Sequence, residues 1–215
     1  MDALKQTTQD YVIKLTKGAL GAIPFAGALL GELLEMFIVP QQQKKIQEWF
    51  GHVEHTLEEL IEKGTVSKDE IFNDENFTSI FQKTSRVYAN NVEAHKKPLL
   101  QSYLKASITK PIPLDKKYIF LDIIDKLTES QLLILRDIYD NEKSDNYQYQ
   151  KALEKMLVEK YAEGDKQYLQ LLIKGPHDFH LLSYGSAEVV IEKENQWHMV
   201  TSKIAKEFIE FLTTE

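Results

Sequence analysis

Residues 187–212 read AEVVIEKENQWHMVTSKIAKEFIEFL, and the spacing of the apolar side chains changes within that run. Ala187, Val189, Val190 and Ile191 form a short block suited to a strand. Lys193-Glu194-Asn195-Gln196 is polar and turn-like. Trp197-His198-Met199-Val200 then returns, so the pattern is that of a β-hairpin. From Thr201 onward the apolar residues are Ile204, Ala205, Phe208, Ile209, Phe211 and Leu212. Those steps of three and four mark one face of a helix, with Thr201 expected as its N-cap.

Three helical stretches precede the hairpin. Thr128-Glu129-Ser130-Gln131 is a capping-box signal, because Gln131 can reach back to the cap amide while the Thr128 hydroxyl accepts from the third residue. The helix that follows is expected to bury Leu132, Leu133, Leu135, Ile138 and Tyr139. Asn141–Asn146 reads as a loop. A second helix covers about 147–161, with Tyr149, Leu153, Met156 and Leu157 as core candidates. Gly164-Asp165 turns the chain into a third, with Tyr168, Leu169, Leu171, Leu172 and Ile173 as its buried set. Gly175-Pro176 is expected to interrupt that helix, leaving a short helix or turn over His177–Leu182. Before all of these, the apolar stretch 115–127 reads as a linking helix.

Two phrases carry a resemblance. LTESQLLILRDIYDN at 127–141 resembles the first helix of many winged-helix modules. WHMVTSKIAKEFIEFL at 197–212 is similar to their common ending of wing, cap and helix. The resemblance covers about two-fifths of the chain and rests on core and cap positions. The layout as a whole resembles small bacterial proteins that pair a glycine-rich helical half with such a module. That likeness implies a bacterial or phage source and a regulatory or defence setting. The expected fold is mainly α: a helical bundle over 1–110, then a winged-helix-like α+β domain over 111–215 with one β-hairpin.

The first part opens on an apolar segment. Gly18–Gly31 reads GALGAIPFAGALLG and carries no charge, and the apolar character runs on to Val39. Its uncharged core is shorter than the roughly 20 residues a spanning helix needs, and Glu32 and Glu35 would be costly in lipid. The reading is a helix on the Lys14 side, a break near Gly21–Pro24, and a buried helix from about Phe25 to Phe37. Peripheral membrane contact through 18–39 is the alternative. The glycines lack the Lys-Ser/Thr ending of a phosphate loop.

A helix from about Gln41 to Glu62 follows, with Ile46, Trp49, Phe50, Val53, Leu57, Leu60 and Ile61 on one stripe and Gly64 as its terminator. Glu48, His52, His55, Glu59 and Glu62 form a second stripe. Carboxylates and imidazoles at such steps suit Zn or Fe, yet they point away from the apolar side, and one helix cannot complete a coordination sphere. A solvated face is expected. Another helix runs from about Glu75 to Lys97, with His95 expected as a satisfied core histidine. Pro98 breaks or kinks it, and a further helix carries Leu99, Leu100, Tyr103, Leu104 and Ile108.

Charge and composition bound the function. The chain has 215 residues, no cysteine and a net charge of −7. Disulfides, thiolate metal sites and a cysteine nucleophile are excluded. Residues 1–110 hold 13 basic and 14 acidic side chains, and residues 111–215 hold 13 and 19. No arginine follows Arg136. Arginine is the commonest base reader, and an acidic field repels phosphate chains. DNA binding is therefore disfavoured, although Lys44, Lys45, Lys96 and Lys97 could supply a positive face. His177, Asp178 and His180 follow the Gly175-Pro176 break and have residue types suited to a base or to metal ligands, but no HExxH, GxSxG or Walker pattern accompanies them. No catalytic, metal or cofactor-binding residue is assigned, and no enzyme activity or cofactor is expected. Met1-Asp2-Ala3-Leu4-Lys5 does not begin a secretory signal, so a cytoplasmic location is expected. The expectation is a protein-interaction or scaffolding module that binds a protein partner or a second copy of itself.

Overall fold

The apolar stretch beginning at Ala26 is helical, and its inner side is core. The computed structural model describes residues 26–36, 40–90, 96–142, 147–184 and 199–213, which hold ten helices and two short strands. Helix α1 (Ala26–Met36) buries Ala26, Leu29, Leu30 and Leu34. Steps of three, one and four keep these four on one side. Glu32 lies outside, where Arg86 meets it at 3.2 Å. Among the described residues no helix is long and apolar enough to cross a membrane. Residues 18–25 and 37–39 of the glycine-rich segment lie outside the described residues.

Helix α2 (Pro40–Glu62) begins on a proline, whose fixed φ suits a first helical position. It ends as the glycine signal requires. Gly64 sits at φ 66°, its amide donates to Ile61 O, and the Thr65 amide donates to Leu60 O. This is a Schellman closure, and a side chain at Gly64 would meet the left-handed penalty. A short helix α3 (Lys68–Phe72) has a full capping box from Ser67 and Glu70. Helices α4 (Glu75–Asn90) and α5 (Lys96–Thr109) pack together and against α2. The helix expected from Glu75 to Lys97, with a break or kink at Pro98, is described only as far as Asn90, and Pro98 belongs to α5. It lies in the first turn, where its missing N–H has no intrahelical partner to lose. His95 lies outside the described residues.

The core here is aromatic. Trp49 stacks on Tyr88 at 4.7 Å, and Phe50 meets Phe81 edge-on at 5.5 Å. Trp49 Nε1 donates to Ser85 Oγ at 3.0 Å, which satisfies two buried polar groups at once.

Helix α6 (Leu114–Lys126) covers the stretch read as a linker. It is tied to α4 and α5 by specific polar contacts. Tyr103 Oη donates to Lys117 O at 2.8 Å, Tyr118 Oη and Ser79 Oγ lie 2.7 Å apart, and Lys83 Nζ sits 3.5 Å over the Tyr118 ring. Lys96 is only 3% exposed, and its Nζ donates to Asp125 O at 2.9 Å in the last turn of α6. A buried ammonium is tolerable there because helix C-terminal carbonyls carry partial negative charge. The chain divides into two compact units between Asp125 and Lys126, so α6 lies almost wholly in the first.

The second unit follows a three-helix order. Helix α7 (Glu129–Asn141) has the expected capping box: Thr128 Oγ1 accepts from the Gln131 amide, and Gln131 Oε1 accepts from the Thr128 amide at 2.9 Å. It buries Leu132, Ile134, Leu135 and Ile138. Leu133, whose apolar character suggests the core, is exposed, because it points opposite the face holding Ile134 and Ile138. Helices α8 (Tyr147–Tyr161) and α9 (Lys166–Asp178) complete the set.

The strands β1 (Leu182–Tyr184) and β2 (Met199–Thr201) pair antiparallel, with Leu182 opposite Thr201. The expected first strand, 187–191, lies outside the described residues, as do the turn 193–196, Trp197 and His198. Helix α10 (Lys203–Leu212) is capped by Ser202, not by Thr201 as expected. Thr201 is the last residue of β2, and the Ser202 Oγ accepts from the Ala205 amide at 3.2 Å. Ala205, Phe208, Ile209 and Phe211 form the buried side of α10.

Candidate functional site

Among the described residues, helix α9 carries the most exposed of the large apolar side chains, Leu171. Asp165 starts it, with Oδ1 accepting from the Gln167 and Tyr168 amides at 2.7 and 3.2 Å. Leu169, Leu172, Ile173 and Pro176 form its buried side. Leu171 and Tyr168 were expected in the same core and are instead 66% and 45% exposed. At 100° per residue Leu171 projects on the side opposite Leu169 and Pro176, with Tyr168 on the adjoining flank. Gln167, Gln170 and Lys174 surround Leu171 on that face and are exposed.

Pro176 does not interrupt α9, contrary to the sequence expectation. The helix runs through it to Asp178. Proline offers no N–H to the Leu172 carbonyl, so the helix continues through it at the cost of one ladder hydrogen bond. Gly175 has its own reason. A Cβ there would lie 2.4 Å from Gln131 Nε2, so its absence lets the capping side chain of α7 rest against α9.

The His177–Asp178–His180 cluster is the end of this helix. Phe179 is the cap and His180 stands at φ 54°. The His180 amide donates to His177 O at 2.8 Å, and the Leu181 amide donates to Pro176 O at 2.9 Å. Leu181 and Pro176 are both buried, which gives the apolar contact of a Schellman motif. Asp178 is engaged by Lys174, whose hydrogen bond holds the carboxyl below its ordinary range. His180 thus occupies the position glycine prefers. Replacing His180 with Gly is expected to stabilise the second unit by about 0.5–1 kcal/mol, read from urea unfolding. A loss of stability would show that the imidazole has a role beyond turning the chain.

The second candidate is the Glu48–His52–His55–Glu59 stripe on α2. It is not simply a solvated face. Lys97 of α5 lies 3.6 Å from Glu48, and Glu59 is met by Lys63 and, at 3.9 Å, by Lys105. Two lysines of α5 thus pair with carboxylates of this stripe. Among the described residues no group of three His, Asp or Glu side chains is placed to hold a metal ion.

His52 is half-buried against Trp49, with its Nε2 3.4 Å from Thr56 Oγ1. Burial, then Lys97, then His55 push its pKa below the ordinary 6.5. The unfolded chain therefore binds the proton more readily than the folded one. The stability tied to neutral His52 is complete above about pH 6.5 and is lost as pH falls through the lowered value. Unfolding of the first unit is expected to occur at lower urea at pH 5 than at pH 7.5. His52→Gln should reduce that difference, and an unchanged difference would refute the assignment.

No known protein family, curated protein or solved structure matches this chain. In the second unit five of the described cations are drawn into ion pairs: Lys166 with Glu154 at 3.1 Å, Lys174 with Asp178, Arg136 with Asp140 at 2.9 Å, Lys160 with Asp137 at 2.8 Å and Lys206 with Glu142 at 2.9 Å. A lysine paired in this way offers a phosphate chain less than its formal charge suggests.

Proposed function

We propose that this chain is a non-enzymatic protein-interaction module whose second unit is winged-helix-like, and that α9 docks on protein rather than on DNA. Three helices, an antiparallel strand pair and a closing helix support the winged-helix reading. In that arrangement α9 takes the place of the recognition helix. The observation that carries the docking reading is the exposure of Leu171 at the middle of the outer face of α9. A DNA-reading helix places Arg, Lys, Asn or Gln there to meet phosphates and base edges. Here a leucine and a tyrosine stand among glutamines and an internally paired lysine. Apolar and aromatic anchors ringed by polar residues suit a protein surface.

The contrast with DNA has a direct test. A module of this size that reads DNA also binds random duplex, with Kd of roughly 1–100 µM at physiological salt and tighter at about 50 mM. Fluorescence anisotropy with a labelled random duplex at about 50 mM salt is expected to show no binding by the full chain at about 10 µM protein. Binding that weakens steeply with salt would overturn the proposal.

A further inference from the structure

We draw no further inference here: the strongest candidate, the exposed Tyr168–Leu171 face of α9, belongs to the docking surface already described, and nothing in the structure shows what covers it.

Discussion

Replacing Leu171 with Lys should weaken the proposed docking of α9 on protein by about 30-fold or more while leaving the fold intact. The two halves of that result have separate causes. Leu171 is 66% exposed and lies opposite the buried side of α9, so the core loses almost nothing. Leucine and lysine have similar helix propensities, and exposed substitutions of this kind stay within about 0.5 kcal/mol. Binding is different. An apolar anchor at the middle of a docking face contributes about 2 kcal/mol or more when buried by a partner, which is about 30-fold in Kd. A charged ammonium in its place would also need desolvation. Sedimentation velocity on the full chain, from about 1 to 100 µM, reads self-association directly, and the same variant is compared in any complex with a protein partner. An unchanged thermal melt with lost association is the expected pair of results. Association that survives Leu171→Lys at wild-type strength would remove α9 as the docking element.

How much of this was legible in the sequence depended on the kind of signal. Local hydrogen-bond chemistry was readable, because a cap needs particular side chains at fixed steps. Thr128 with Gln131 and the glycine end at Gly64 both stand where the sequence put them. Burial on a short, strongly apolar helix was less readable. In YLQLLI, over 168–173, almost every position is apolar, so composition alone does not say which leucine faces out. Counting angles from Pro176 would have found Leu171, but Pro176 had been read as a break. Leu169, Leu172 and Ile173 already set the buried side, and Pro176 extends it by a further turn. The ion pairs between the α2 stripe and the lysines of α5 were beyond the sequence. They depend on how two helices far apart in the chain come to lie side by side.

Glu142→Ala should be the most destabilising single change among the polar residues of the second unit, at about 3 kcal/mol. Its carboxylate follows the last turn of α7 and is 14% exposed. The Ser202 amide donates to Leu181 O at 2.9 Å, and Leu182 stands opposite Thr201. Antiparallel strands alternate between bonded and non-bonded pairs, so the Thr201 amide points away from β1. Among the described residues no strand receives it there. Glu142 Oε1 accepts that amide at 2.7 Å, and Oε2 accepts the Thr201 hydroxyl at 2.6 Å and Lys206 at 2.9 Å. One side chain thus does for the outer edge of β2 what a third strand would do. Thr201 is 4% exposed, so water cannot replace the lost acceptor. A buried donor left unsatisfied costs about 1–3 kcal/mol, and here there are two. The Lys206 contact is half in solvent and adds little. Lys206→Met alone should therefore cost under about 1 kcal/mol. Glu142→Gln, which keeps one acceptor but brings an NH2 toward a donor, should fall between the two. For a unit of this size 3 kcal/mol lowers the unfolding midpoint by roughly 15 °C, which a calorimetric scan resolves. If Glu142→Ala proves no worse than Lys206→Met, the edge of β2 is held by something other than this carboxylate.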